Sequence, residues 1–270
     1  MVFYTDIHAD GRDETSAALA MAAEAMNAQN PDLVLCGGDL ISGGFASNSK
    51  EMAPRWNAYM NMARAIRAEH HAVLGNHDLV GALQNNGHDG TDPRSDFKRH
   101  LGLSRTYDSF EALGYRFILL DSLRISNDSH RYEGWISSEQ TEWIRELLAS
   151  TPRDVPIVLL LHMPLLTTFF AATKGTTFQA QANRVVLNNV EILDLFARHN
   201  LILLLQGHLH VSEAIYWRGS TFLTGGALCG GWWRGPYYGT ARGFTSITLK
   251  DDRIEWEYLT YDSSTGHPDQ

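Results

Sequence analysis

The chain contains five short apolar runs, and each stops abruptly at polar residues. The runs occupy residues 2–5, 33–36, 72–74, 157–161 and 201–205. Short uninterrupted runs rich in Val, Ile and Leu are typical of strands that are buried on both faces. We therefore predict that they form the buried strands of an α/β fold, with the chain leaving the core where each run ends.

The stretches between these runs have the patterns of helices and of further strands. Residues 13–29 are rich in Ala, Met and Glu, which favour helix, and residues 52–70 have apolar side chains at helical spacing. Ser137 and Gln140 have the spacing of a capping box at a helix start. The remaining predicted elements are a helix over 190–199, a strand pair at 106–110 and 115–120, and antiparallel strands within 213–261.

Polar residues that can bind metals follow all five runs. They are Asp6 and His8, Asp39, the segment Asn76-His77-Asp78, His162, and His208 with His210. Strand ends in α/β sheets open into the crevice where sites are built. Two positions separate the members of the first and last pairs, a spacing that puts both side chains on one face of an extended backbone. Taken singly, each residue is equally explained as a turn former or a satisfied core residue, but five recurrences favour one shared site.

The donor set contains carboxylates, an amide and imidazoles, and no thiolate. Such a set suits Mn, Fe or Zn, and it is too rich in histidine for Ca²⁺ or Mg²⁺ alone. Seven donors exceed the four to six that one transition-metal ion takes, so two ions sharing one carboxylate is the simplest arrangement. Metal pairs about 3.5–4 Å apart clamp the attacking and leaving oxygens of a phosphoryl displacement.

In their order along the chain, these motifs resemble those of the calcineurin-like metallophosphoesterases. They are Asp6-x-His8, Gly38-Asp39, Gly75-Asn76-His77-Asp78, His162 and Gly207-His208-x-His210. The resemblance implies a four-layer α/β/β/α sandwich, in which two mixed sheets are flanked by helices. It also implies two divalent or mixed-valence transition-metal ions (Mn, Fe or Zn) and a metal-bridging hydroxide as the nucleophile.

The resemblance assigns a role to each motif residue. The first metal would be held by Asp6, His8, Asp39 and His210, and the second by Asp39, Asn76, His162 and His208. His77 would lie over the metal pair, bind a phosphate oxygen and protonate the leaving group. Asp78 would orient a ligand or His77, or else cap the following turn.

The implied activity is hydrolysis of a phosphoester. We favour a phosphodiesterase acting on a small phosphodiester, because the motifs resemble those of small and cyclic-nucleotide diesterases. A phosphomonoesterase is the alternative, followed by a catalytically silent metal-binding scaffold. Cys36 and two glycines precede Asp39 where the purple acid phosphatases have a tyrosine ligand, so the chain departs from that pattern.

Charge and length limit the classes of molecule that the protein can have as partners. The 270 residues have a formal net charge of −9, which argues against nucleic-acid polymers and membranes as partners and leaves a small phosphoester substrate. No apolar stretch reaches the ~20 residues of a membrane span, and Met1 directly precedes the first predicted strand. We therefore expect a cytoplasmic protein, or an exported or periplasmic one if a leader has been removed. The sequence predicts no particular oligomeric state.

The rest of the pattern predicts one domain over residues 1–262 and a polar tail over 263–270. Lid or rim loops are expected near 79–105, 124–134, 165–183 and 225–240. The last loop is rich in glycine and aromatic residues. Trp232 and Trp233 are candidates for an aromatic wall beside the metals, with Arg234 meeting a phosphate or a sugar hydroxyl. The alternative is that the rings pack on the sheet.

Overall fold

The computed structural model describes residues 1–82, 92–126, 131–250 and 253–261. The strands are β1 (Val2–Tyr4), β2 (Leu33–Cys36), β3 (Glu69–Ala72), β4 (Asp108–Ala112), β5 (Tyr115–Leu119), β6 (Leu123–Ile125), β7 (Tyr132–Gly134), β8 (Pro156–Leu160), β9 (Asn200–Gln206), β10 (Glu213–Trp217), β11 (Ser220–Thr224), β12 (Gly243–Lys250) and β13 (Arg253–Thr260). The helices are α1 (Asp13–Ala28), α2 (Ser49–Ala65), α3 (Ser95–Leu101), α4 (Ser138–Ser150), α5 (Phe169–Lys174) and α6 (Asn189–Leu195).

Most strands belong to two mixed sheets. One has the order β13-β12-β1-β2-β3, and the other has the order β10-β11-β9-β8-β5-β4. In the first, β1, β2 and β3 are parallel. In the second, β5, β8, β9 and β11 are parallel. Four of the five apolar runs therefore form the parallel strands β1, β2, β8 and β9 inside the two sheets, and the carboxyl ends of β1 and β2 approach those of β8 and β9.

Alternation along the strands creates the layers. Phe3 and Leu35 of the first sheet share one buried cluster with Phe117, Val158 and Leu203 of the second, so this cluster lies between the sheets. The residues adjacent to them in sequence point to the outer faces and are also buried, against helices. The predicted four-layer α/β/β/α class is confirmed, and burial on both faces explains why the runs are uninterrupted.

The largest error in a predicted element boundary concerns the second helix. The second helix ends at Ala65, and Glu69–Ala72 form the edge strand β3. The helical spacing is real as far as Ile66, which is buried. β3 pairs only with β2 and is half-exposed, so it has a polar sequence that hides a strand from a search for apolar runs. Val73 and Leu74 are buried just beyond this strand.

The predicted loops contain some regular structure. Helix α3 lies within 79–105 and helix α5 within 165–183, and the hairpin β6-β7 lies within 124–134 except for Leu123. The helix predicted over 190–199 spans Asn189–Leu195. Residues 83–91, residues 127–130 and the predicted tail 263–270 lie outside the described part of the chain. Within the described part, no helix combines the length and apolar character needed to cross a bilayer.

Candidate metal centre

The structure brings all seven predicted ligand side chains together where the two sheets meet. Each is at most 7 % exposed, and they are Asp6, His8, Asp39, Asn76, His162, His208 and His210. The chain segments that follow β1, β2, β8 and β9 supply six of them, and a helical turn over Asn76–Asp78 supplies the amide. Their ligand atoms fall into two groups.

The first group surrounds the facing imidazoles of His8 and His210, whose Nε2 atoms lie 3.0 Å apart. His210 Nε2 is 3.3 Å from Asp6 Oδ1, and His8 Nε2 is 3.6 Å from Asp39 Oδ2. Ligands about 2.1 Å from one cation lie about 3.0 Å apart when they meet at a right angle. These four atoms therefore have the spacing of a single metal site.

The second group surrounds His162. Its Nε2 lies 3.1 Å from Asn76 Oδ1, 3.4 Å from Asp39 Oδ2 and 3.3 Å from His208 Nδ1. Asp39 Oδ2 thus borders both groups, as a shared ligand must. The other carboxylate oxygen, Asp39 Oδ1, accepts a hydrogen bond of 2.7 Å from the His77 backbone N–H. The two groups have the composition that the sequence motifs imply.

Backbone carbonyls orient three of the four imidazoles. The nitrogens that point away from the groups lie near oxygens: His162 Nδ1 is 2.7 Å from Gly37 O, His208 Nε2 is 2.9 Å from Asn183 O, and His210 Nδ1 is 2.7 Å from Gly230 O. A carbonyl can only accept, so these nitrogens carry hydrogen and the opposite nitrogen is left to bind a cation. This arrangement is typical of metal-binding histidines.

Two buried polar atoms without a hydrogen-bond partner test whether the site fits cations. Asp6 Oδ1 and His8 Nδ1 are buried and have no hydrogen-bond partner among the described residues, whereas buried polar atoms normally have one. Asp6 Oδ2, in contrast, accepts from Thr5 Oγ1 and from the His208 N–H. A cation in the first group would satisfy Asp6 Oδ1, whereas His8 contributes Nε2 to that group and its Nδ1 stays unpaired. The unpaired oxygen therefore supports a cation in the first group, and the second group has a matching set of oxygen and nitrogen donors.

The backbone at the ligands differs from the extended form that the two-residue spacing suggested. Five ligands adopt left-handed conformations, with φ between 47° and 72°: Asp6, His8, Asp39, His208 and His210. Such a conformation costs non-glycine residues of order 1–3 kcal/mol each and persists only where the surroundings impose it. The side chains do converge, but a strained turn brings them together and an extended strand does not.

Two glycines allow the segments to approach this closely. A Cβ atom at Gly75 would overlap the backbone nitrogen and Oδ1 of Asp39, and one at Gly207 would overlap Thr5 Oγ1. Both residues lie directly beside predicted ligands. A side chain at either position would displace a ligand carboxylate or the residue that supports it.

The metal-free cluster contains two imidazolium–carboxylate pairs. Burial lowers the pKa of His162, but Asp39, Asp6 and the Gly37 carbonyl together raise it to about 9. Burial also lowers the pKa of His210, but Asp6 and Cys229 together raise it to about 11. Burial lowers the pKa of His8 and of His208 to about 3. Each group therefore contains one charged and one neutral imidazole at neutral pH.

Cation binding at pH 7 is expected to release about two protons per chain. His162 and His210 must lose the Nε2 proton before they can bind a cation, so metal affinity should rise as the pH increases towards about 9. The stability of the metal-free fold should instead fall as the pH rises. Because folding raises both pKa values, the charged imidazoles of His162 and His210 stabilise the fold fully below the unfolded-state pKa of about 6.5. This stabilisation is lost as the pH rises through about 9 and about 11.

Calorimetric titration of Mn²⁺ in buffers with different protonation enthalpies counts the released protons. Binding without proton release at pH 7 would show that His162 and His210 are neutral in the metal-free protein, and would contradict the pairing. Thermal unfolding of the metal-free protein between pH 7 and pH 10 tests the predicted change of stability with pH.

His77 lies beside the first group and has a fixed tautomer. Its ring meets the His8 ring edge-on, with centroids 4.6 Å apart, and its Nδ1 accepts a hydrogen bond of 2.9 Å from the Gly43 backbone N–H. An accepting Nδ1 leaves the proton on Nε2. Nε2 is then a hydrogen-bond donor and cannot bind a cation, although His77 lies within ligand distance of His8 and Asp39.

Asp78 has the contacts of a turn cap, one of the two roles that the sequence left open for it. It is fully buried, and its Oδ2 accepts from the Gly75 N–H at 2.8 Å. Its Oδ1 accepts from the N–H groups of Leu40 and Ile41. Burial and the Asp39 carboxylate raise the pKa of Asp78 to about 8, and the hydrogen bonds from the Gly75 and Ile41 N–H groups oppose that rise. Asp78 therefore positions the segments that carry Asp39 and His77 and is itself shielded from substrate.

Cys229 is a neighbour of the site that the motifs did not reveal. The buried thiol groups with His8 and His210 at ligand distance, and burial raises its pKa. Backbone pairing places the thiol beside the ligands. The Leu228 N–H donates to Thr5 O and the Cys229 N–H donates to Asp6 O, and these bonds extend the sheet past β1. Such long-range pairing leaves no signal in local spacing.

The two tryptophans of the glycine-rich loop lie differently. The Trp232 ring stacks on His210, with centroids 4.3 Å apart and an interplanar angle of 30°. Trp233 donates from Nε1 to the backbone oxygen of His8 at 3.0 Å, so it braces the ligand segment. Arg234 lines a cavity with both rings. Trp232 therefore has the position expected of an aromatic wall beside the metals, whereas Trp233 packs against the ligand segment.

A four-layer sandwich with two groups of nitrogen and oxygen donors at its strand ends defines a metal-binding α/β protein. The sequence model described as calcineurin-like phosphoesterase matches residues 1–212. The chain therefore belongs to the calcineurin-like phosphoesterase family. A dinuclear metal centre is a property of that family, and the donor groups described above fit one.

Solved structures share the fold at low sequence identity. A dimetal phosphatase from Danio rerio has a TM-score of 0.67 and 16 % identity, with 97 % of this chain and 96 % of that chain covered. A purple acid phosphatase from yellow lupin has a TM-score of 0.61 and 15 % identity, with 98 % and 52 % covered. GAP50, the anchor in the inner membrane complex of Plasmodium, has a TM-score of 0.57 and 12 % identity, with 98 % and 85 % covered. The comparison with curated protein sequences gave no match.

Proposed function

We propose that this protein hydrolyses a small phosphodiester in a reaction that depends on two transition-metal ions. Family membership supports a metal-dependent phosphoester hydrolase. The oxygen and nitrogen donors suit Mn, Fe or Zn. The net charge of −9 disfavours nucleic-acid polymers, which require basic surfaces, and leaves a small phosphoester as the substrate.

The observation that supports a diester is a pair of cavities, one lined by a candidate ligand of the first metal and the other by a candidate ligand of the second. One, of about 510 Å³, reaches His8 and is lined by Ser42, Trp232 and Arg234 among others. The other, of about 340 Å³, reaches His208 and is also lined by Trp232. A phosphodiester has two substituents to accommodate and a monoester has one. Two cavities that meet at Trp232 therefore favour the diester.

Cations bound by the two ligand groups would activate water and neutralise charge on the phosphoryl oxygens. The chain's own residues bind and orient the substrate. His77 directs an Nε2–H donor at the site, because the Gly43 N–H occupies its Nδ1. Arg234 has no ion-pair partner among the described residues and lies at the first cavity, where it can meet a phosphate or a hydroxyl group.

Substrate preference tests the proposal. Metal-stripped protein reloaded with Mn²⁺ is expected to hydrolyse bis(p-nitrophenyl) phosphate with a kcat/KM at least about tenfold higher than that for p-nitrophenyl phosphate, a difference of about 1.4 kcal/mol in transition-state binding. The release of p-nitrophenolate gives both rates. Reloading with Zn²⁺ or Fe²⁺ ranks the metals.

Preference for the monoester would overturn the diester proposal and make the protein a phosphatase. Inactivity on both substrates, with two metals bound per chain, would favour a scaffold. Both substrates release the same p-nitrophenolate, so their rates compare a diester with a monoester that has the same leaving group.

A further inference from the structure

The cavity that reaches His208 has an aromatic wall built from two distant segments of the chain. Phe169, Phe170 and Phe178 come from α5 and the residues after it, and Trp232, Tyr237 and Tyr238 come from the glycine-rich loop. The volume of about 340 Å³ lies within the range of small-molecule sites. Ligand-binding cavities are typically apolar with a few polar groups.

The rings form a continuous chain of contacts that starts at a metal ligand. Trp232 stacks on His210 and meets Tyr237 edge-on at 5.3 Å. Tyr237 meets Tyr238 at 4.8 Å, and Tyr238 meets Phe169 at 5.0 Å. Phe169 contacts Phe170 at 5.2 Å, and Phe170 contacts Phe178 at 5.9 Å. The wall therefore leads outward from the centre, and a bound ring can contact it while its phosphate lies at the metals.

These rings contribute little to the core. Helix α5 has no buried residue, and Phe178, Trp232 and Tyr238 are 44 %, 41 % and 56 % exposed. Rings that served only to stabilise the fold would be buried. Several exposed rings in one cavity beside a reaction centre are typical of a binding surface.

The same cavity has a cationic edge. Lys174 and Arg184 line it, and neither has an ion-pair partner in the described part of the chain. Arg184 and His208 line the same cavity, so the guanidinium lies on the side of the cavity that reaches the metal centre. Apolar faces next to unpaired cations match a planar ring that carries a phosphate.

We propose that this cavity binds a planar aromatic substituent of the phosphoester. The substituent would stack on the row of six rings that runs from Trp232 to Phe178, while Lys174 and Arg184 attract the attached phosphate. The inference rests on the proposed hydrolase function and names the substrate class. A simple aryl group and a nucleobase share the required chemistry.

Binding of phosphonates tests the proposal without turnover, because their carbon–phosphorus bond is not hydrolysed. Phenylphosphonate and cyclohexylphosphonate are similar in size, but only the first is planar. Calorimetry with Mn²⁺-loaded protein is expected to give a Kd about 3- to 10-fold lower for phenylphosphonate, the range of a good ring–ring contact. A nucleoside 5′-methylphosphonate that binds more tightly still identifies the ring as a nucleobase, and one that binds more weakly identifies it as an aryl group.

Two variants locate the effect. Phe178→Leu and Tyr238→Leu remove exposed rings that do not touch the metal ligands, and each is expected to raise the Kd of phenylphosphonate about 3- to 10-fold and to leave that of cyclohexylphosphonate unchanged. Trp256→Leu removes an equally exposed ring on β13, outside the lining of this cavity, and should change neither. Equal affinity of the unmodified protein for both phosphonates would overturn the proposal, even if diesters are hydrolysed. Selective binding without diester hydrolysis would overturn the proposed function alone.

Discussion

Replacing Asp39 with Asn is expected to remove metal pairing and hydrolysis together. Asp39 Oδ2 lies 3.6 Å from His8 Nε2 and 3.4 Å from His162 Nε2, so it is the atom that both ligand groups share. Asparagine has almost the same shape and keeps an oxygen that can accept from the His77 N–H. The substitution removes the negative charge that two cations share. A loss of bound metal can therefore be assigned to the charge of Asp39.

The expected change is from about two bound ions per chain to about one or fewer. Loss of a single group that stabilises transition-state charge costs about 10²–10³-fold, and loss of a cation removes more. We therefore expect kcat/KM for bis(p-nitrophenyl) phosphate to fall by at least about 10³-fold. Elemental analysis after dialysis gives the metal content of the same samples.

Asp96→Asn is the matched control, because Asp96 is a buried carboxylate that pairs with Arg99 away from the centre. It should keep both ions and full activity. An Asp39→Asn protein that hydrolyses diester at the normal rate with one ion per chain would show that the carboxylate is not shared.

The sequence reveals the fold and the ligands for the same physical reason. Strands buried on both faces need uninterrupted apolar runs, so any polar residue directly after a run stands out. Asp6, His162 and His208 are visible in this way. The edge strand β3 is not, because its exposed positions accept Glu69 and His71, which resemble the end of a helix.

Features set by contacts between distant segments left no pattern to find. Helix α5 has six residues, which is too short for periodicity, and its rings acquire significance only beside Tyr238. Cys229 reaches the metal ligands through backbone pairing with Asp6. The left-handed backbone at His8 and His210 also follows from tertiary context, because only a few per cent of non-glycine residues adopt that conformation.

His77→Ala is expected to keep both metal ions and to lower kcat by about 10²–10³-fold, the cost of losing one donor that stabilises charge in the transition state. The structure narrows how His77 acts. Its Nδ1 accepts from the Gly43 N–H, so the ring presents Nε2–H and carries no proton on Nδ1. A neutral imidazole in this tautomer serves as a hydrogen-bond donor to a phosphate oxygen, and full transfer of its proton would leave an anionic ring.

His77→Gln separates these two roles. The side-chain amide of glutamine can donate near the position of Nε2, but it cannot transfer a proton. We expect it to be about 2- to 10-fold more active than His77→Ala, which corresponds to one net hydrogen bond. His199→Ala is the control, because His199 directly precedes β9, at the end opposite the metal centre. Equal activity of the Gln and Ala variants would assign proton transfer to His77, and loss of metal from either variant would make His77 a ligand.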